Sequence, residues 1–159
     1  MDKKWTKTEQ DGYILIENEG GQTLGLAADS KVRVISVDGY AFKDFLGTGE
    51  LAPYEDWRLS YEERAKDLAK RGSIEDIAGL MLYSGHQLIP ARGPRAGAFG
   101  GTYNGKMFEE SGADPWELTD QQKEFIEKDR VRHVLIMGLE STETAVRWNN
   151  KLQALAENS

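Results

Sequence analysis

The segment 131–139 (VRHVLIMGL) is nearly continuous in apolar residues and runs into Glu140-Ser141-Thr142, which reads as a turn and helix cap. Such a run is what a strand buried on both faces of a parallel sheet looks like. Beyond it, Ala145, Trp148, Leu152 and Leu155 share one face of a helix expected over 143–156. A strand followed by a helix is half of a βαβ unit. Parallel strands cannot be joined by a tight turn; they need a crossover of about a dozen residues. No second parallel strand is legible after this helix, so the unit reads as begun and left open.

Upstream, the punctuation is sharper. YILIE at 13–17 and VRVISV at 32–37 are β-branched runs separated by a connection carrying Gly20, Gly21 and Gly25, within which 23–26 offers a further short strand. They predict a small antiparallel hairpin or meander, followed by a turn at Asp38-Gly39. Ser60-Tyr61-Glu62-Glu63 fits a capping box and opens a helix that should stop near Arg71-Gly72, with glycine in the left-handed stop position. A second cap follows at Ser73-Ile74-Glu75-Asp76, and Ile74, Ile77, Ala78, Met81 and Leu82 then form one apolar stripe. The stretch 84–118 carries Pro90, Pro94, Pro115 and many glycines and reads as a long irregular segment; Thr119 to Gln122 caps a third helix reaching about Lys128.

Composition narrows the function classes. With 27 acidic against 20 basic residues and a net charge of -7, the chain lacks the cationic surplus that nucleic acid demands. No apolar run approaches the roughly 18 residues of a membrane span, so neither partner is expected. The absence of cysteine excludes disulfides and thiolate chemistry while leaving the compartment open. The N-terminal residues MDKKWTKT are not followed by an apolar stretch of signal-peptide type, which favours a cytoplasmic location. Two histidines, His86 and His133, leave little for a histidine-rich metal centre.

Four blocks taken in order, FKDFLGTGELAPYEDWR, EERAKDLAKRGSIEDIAGLML, FGGTYNGKMFEESGADPWELTDQQKEFI and VRHVLI with ETAVRWNNKLQAL, resemble the opening of glycoside hydrolase family 3, in its bacterial β-glucosidase-like branch. The resemblance covers most of the chain from about Gly12 onward. It implies hydrolysis of terminal β-linked sugars with retention of configuration. An Asp nucleophile and a separate acid/base, commonly a Glu in a following domain, would do this work. Retention needs two carboxyl groups about 5 Å apart. In the family the nucleophile and the sugar-gripping Asp, Arg, Lys and His residues lie beyond the matched region, so no catalytic, cofactor or metal residue is carried over.

The fold class expected on this basis is α/β: an incomplete TIM-type barrel start, first strand and helix only, preceded by a β-hairpin and helical leader. The divisions would be 1–59 for the hairpin and turn-rich leader and 60–159 for the truncated barrel start. A complete barrel takes about 250 residues and works at the C-terminal ends of its strands, which would place 138–142 at the active-site mouth.

Several constellations have a functional and a plainer reading. The loop 44–55 resembles an EF-hand: Asp44, Thr48, Gly49 and Glu55 match ligand or glycine places, and Leu51 supplies the apolar residue. Leu46 and Ala52 fall where ligands are needed and have none to give, so a metal-free structural turn is expected; the calcium alternative predicts a thermal shift that EDTA reverses. The acid pairs Glu55-Asp56, Glu62-Glu63 and Glu109-Glu110 read as caps and solvated faces. His86 and His133 read as structural, with no triad spacing to support them. Gly93 to Gly105 is glycine-rich but Gly105-Lys106 is followed by Met107, so it reads as a flexible loop rather than a phosphate loop. Trp57, Trp116 and Trp148 read as packing rather than as a sugar platform, Trp148 above all. The function expected is an N-terminal fragment of a retaining glycosidase, inactive alone, whose partners are a carbohydrate substrate and the missing C-terminal part of the same enzyme. The alternative is a non-catalytic carbohydrate-binding or interaction module, for which a genuine stop codon after Ser159 and stable folding in solution would speak.

Overall fold

A computed structural model describes residues 2–10 and 12–159. The chain divides after Gly72 into two compact units.

The first unit is built from antiparallel strands. β1 (Trp5–Gln10), β2 (Tyr13–Asn18) and β3 (Thr23–Ala27) form a three-stranded sheet with β2 in the middle. β4 (Arg33–Val37) and β5 (Tyr40–Asp44) form a separate hairpin. Its turn, Asp38-Gly39, has positive φ at both residues (55° and 88°), the condition for the tight turn whose twist matches the flanking strands. Ile16, Leu24, Leu26 and Ala41 make the buried core, with Trp5, Ile14, Val32, Val34 and Trp57 packed against it. Asn18 ties sheet to hairpin from inside: its side-chain nitrogen donates to the carbonyls of Gln22 (2.8 Å) and Ala41 (3.2 Å), and its oxygen accepts the Ala41 amide (2.7 Å). A buried amide with all these partners satisfied specifies one arrangement of the two pieces. Helix α1 (Tyr61–Arg71) has the expected capping box at Ser60 and Glu63, but Gly72 ends it in an extended conformation rather than the left-handed one.

The second unit holds α2 (Ile74–Met81), β6 (Gln87–Ile89), the short helices α3 (Ala96–Phe99) and α4 (Phe108–Ser111), α5 (Asp120–Glu127), β7 (Ile136–Leu139) and α6 (Thr142–Asn158). β6 and β7 pair in parallel, Leu88 opposite Gly138 and Ile89 opposite Leu139. Ile89, Leu118 and Trp148 form the core beneath them, with Trp116, Val134, Leu152 and Leu155 alongside. The expected third helix and its Thr119 cap are present as α5, and Ser141 caps α6. Among the described residues no helix is long and apolar enough to cross a membrane.

The fold class is therefore corrected: no start of a TIM-type barrel is shown. The unit is a small mixed assembly in which the parallel partner of β7 comes before it in the chain, inside the stretch that reads as irregular. Three residues that stop just before Pro90 are too short to show periodicity, which is why β6 is not legible. The strand expected over 131–139 is shorter and not buried on both faces; Ile136, Met137 and Leu139 are 41%, 44% and 45% exposed. Its first half pairs only through an isolated parallel bridge between Tyr83 and His133 and the Gln87 amide donated to the Leu135 carbonyl (2.8 Å), while the Arg132 side chain folds back onto the carbonyls of Ile126 (3.0 Å) and Val131 (3.3 Å) at the end of α5. The stripe on α2 also faces outward, with Ile74 83% and Met81 79% exposed. Gly79 is the buried contact of this helix. A side chain there would meet the Arg130 carbonyl at 2.1 Å, so glycine permits backbone to lie on backbone.

Candidate functional site

The EF-hand-like loop closes on itself. Asp44 accepts the amides of Thr48 (3.1 Å) and Gly49 (2.9 Å) and an Arg33 nitrogen (3.0 Å), while Glu55 accepts the amides of Leu46 (3.1 Å) and Ala52 (3.0 Å). Burial pushes the Asp44 carboxyl up, but the Gly49 amide, the Arg33 charge and the Thr48 amide outweigh it and hold the group below the usual carboxylate range. The carboxylates that match the motif thus act as acceptors for turn amides. Leu46 and Phe45 stand on the outer side, over 40% exposed.

The other sequence candidates are scattered. Glu55 and Asp56 are buried, 4% and 8% exposed, which corrects their reading as solvated; Asp56 is held by Arg58 at 2.7 Å, and that hydrogen bond keeps its pKa low despite burial. Glu62 pairs with Lys66 and Glu63 closes its cap, as the plainer reading has it. Glu109 accepts the Gly93 amide at 3.2 Å and Glu110 is exposed. His86 and His133 are both exposed; His133 joins Ser84 through its backbone carbonyl. Trp57 spends both its face and its nitrogen on packing, stacked on Phe42 at 5.1 Å and donating to the Ala41 carbonyl at 3.0 Å. Trp116 carries Arg147 over its ring at 4.5 Å, and Trp148 is 1% exposed. Within 138–142, the Glu140 carboxylate meets Arg92 at 3.2 Å beside the C-terminal ends of β6 and β7.

Two features escape a reading of the sequence. The first is a buried polar core around Gln122. Its side-chain oxygen accepts the Trp148 indole (3.0 Å) and the Thr119 amide (3.1 Å), and its nitrogen donates to Gln87 (3.2 Å). The capping-box pattern marks Gln122 as a cap; that it also satisfies a tryptophan on another helix needs the tertiary fold.

The second is a cavity of about 300 Å³ in the second unit, lined by Tyr103, Asn104, Gly112, Asp114, Glu117 and Lys123 among others. Asp120, at the start of α5, holds the loop that brings Tyr103 and Asn104 to it. Its carboxylate accepts the Thr102 hydroxyl (2.7 Å) and the amides of Asn104 (3.0 Å) and Gly105 (2.8 Å). Burial raises its pKa, yet these bonds from Gly105, Thr102 and Asn104 bring it below the ordinary value. The glycine-rich loop is thereby pinned, and Tyr103 is buried with its hydroxyl accepting the Ala91 amide at 2.9 Å. The sequence signal was present only as Thr119-Asp120 beside a glycine run.

No family model matches the chain. A periplasmic β-glucosidase/β-xylosidase of Dickeya chrysanthemi is 34% identical to it over 124 residues, which cover 78% of this chain. The chain spans 16% of the length of that relative. The likeness establishes a relationship to glycosidases. It also overturns the cytoplasmic expectation, because the relative is by name periplasmic. Nothing in the composition resists the correction, since a chain without cysteine suits oxidising and reducing compartments alike.

Proposed function

We propose that this chain contributes to a retaining glycoside hydrolase of family 3 that acts on terminal β-linked glucosides or related glycans in an exported compartment. The observation that carries the proposal is the 34% identity over 124 residues to a β-glucosidase/β-xylosidase, over much of the region that holds the four resembling blocks. The bond-breaking pair of carboxyl groups is assigned to polypeptide outside these residues. Two features support that assignment. Among the described residues, every carboxyl group whose pKa is displaced is displaced downward, as at Asp44, Asp56 and Asp120, whereas a general acid for glycoside cleavage needs a carboxyl held up near neutrality. The buried acids Asp44, Glu55 and Asp56 are also already occupied by amides or arginine.

The test has two arms, read with aryl β-glucoside and aryl β-xyloside substrates. The chain alone should release no phenol above a vector control. Expressed in frame with whatever coding sequence follows Ser159, it should cleave at least one substrate and give a first product of retained anomeric configuration by ¹H NMR. Turnover by the chain alone would overturn the division of labour; an extended protein that cleaves neither, or inverts, would overturn the glycosidase reading.

A further inference from the structure

The cavity beside α5 is lined by none of Asp44, Glu55 and Asp56, and its walls are held by their own hydrogen bonds. Its walls are fixed before any ligand arrives: Asp120 holds the 102–105 loop, Tyr103 and Lys106 exchange backbone bonds (2.8 and 3.1 Å), and the Ser111 hydroxyl accepts the Ala113 amide (3.0 Å) beyond the left-handed Gly112. A preformed concavity spares a ligand the ordering cost that weakens most small-molecule binding.

The groups on its rim differ in how far they are committed. Glu117 is taken by Lys151 and by the Leu118 amide. The side chains of Asn104, Asp114 and Lys123 line the same space and make no hydrogen bond or ion pair among the described residues. This set decides the ligand class by charge. An anion would face the carboxylates of Asp114 and Glu117, and a cation would face Lys123. A hydroxyl group is both donor and acceptor, so it can satisfy the carboxylate, the amide and the ammonium together. Because Tyr103 is only 3% exposed, no aromatic face is offered for stacking. A volume at the bottom of the usual range for ligand sites, about 300–1,000 Å³, admits one small ring.

We propose that this cavity binds a small neutral polyhydroxylated ligand of monosaccharide size through Asn104, Asp114 and Lys123. The proposal is independent of the catalytic reading, since a chain with no hydrolytic activity would bind just as well.

The experiment is an amide-resolved NMR titration of the full chain with methyl β-D-glucoside, methyl β-D-xyloside, inorganic phosphate and glycine as separate probes. One of the two glycosides should shift the amides of 103–105, 112–114 and 123, saturating in the millimolar range, while phosphate and glycine leave them in place. Asp114→Ala and, separately, Lys123→Gln should each weaken that binding at least tenfold, and Glu62→Ala on α1 should leave it unchanged. Among the described residues Asp114 and Lys123 make no side-chain hydrogen bond or ion pair, so both variants should keep the dispersed wild-type spectrum. Failure of both glycosides to shift these amides, a stronger response to glycine or phosphate, or binding that survives both cavity variants would overturn the proposal.

Discussion

The two units pair their strands in different ways. In the first, β2 pairs antiparallel with β1 and β3, and β4 with β5, and the inward side chains of β2 and β3 close on Trp5, Val34 and Trp57. In the second, two short parallel strands are separated by a long crossover, and β7 keeps Ile136, Met137 and Leu139 over 40% exposed. Antiparallel hairpins complete themselves locally, whereas a parallel pair covers its faces only with what distant segments bring. The second unit compensates with a dense centre, where Trp148, Leu118 and Ile89 pack around the fully bonded Gln122. Its stability is concentrated in that centre, while that of the first unit is spread over a sheet.

The largest expected effects test this contrast at each core. Trp148→Ala should cost about 3–5 kcal/mol and leave the Gln122 oxygen short of a donor. In residue-resolved hydrogen exchange, protection should collapse across 87–89, 118–127 and 136–155 and persist in β1 to β5. Phe42→Ala should cost a similar ~3–5 kcal/mol but act on the first unit. Equal loss in both units from either change would show that they unfold as one and end the comparison.

Gly79→Ala comes next. With the Arg130 carbonyl 2.1 Å from the added carbon, backbone must move, at about 1–3 kcal/mol. Urea unfolding should shift to a lower midpoint, and a silent substitution would mean that the α2 contact carries no stability.

Acid sharpens the comparison further. The Asp44 carboxyl is depressed in the folded chain, so its stabilisation is complete above the ordinary Asp value, about pH 4, and is lost as the pH falls through its lower folded value. The same sign holds in the second unit for Asp76, which the Ser73 hydroxyl and amide and then Arg130 bring down to about 2. Melting followed from pH 7 to pH 2 should therefore show stability falling only below about pH 4. Asp44→Asn should lower the melting temperature of the first unit at pH 7 and flatten its acid dependence, leaving the second unit as it was. An acid profile unchanged by Asp44→Asn would place the acid sensitivity elsewhere.

The smallest effect belongs to the exposed stripe. Ile74→Ser, at a position 83% exposed, should change stability by no more than about 0.5 kcal/mol. A larger loss in a chemical-denaturation curve would show that this face is covered in solution and that the second unit is less open than it looks.

How far the chain was legible follows from the range of each interaction. Helix starts were readable because a cap is settled within four residues: Ser60, Ser73 and Thr119 each carry the side chain that their own first turn needs. The Asp38-Gly39 turn was readable for the same reason. The 131–139 run misleads because apolar content does not by itself mean burial, and nothing local reveals that β6 is the partner. Of the site, Asp44 and Glu55 stand out in the sequence as members of one loop, because the amides they accept lie within nine residues of them. The cavity beside α5 was invisible, since Asn104, Asp114 and Lys123 meet only after Asp120 has folded the loop back.

By itself, then, the amino-acid sequence determined the helix caps and the Asp38-Gly39 turn, which rest on neighbouring residues, while the likeness to glycosidases rests on four blocks taken in order. Only the tertiary structure decided which strands pair, which acids are buried and where an empty space is lined by uncommitted polar groups. Those outcomes depend on contacts between residues far apart in the chain, and such contacts leave no periodic trace along it.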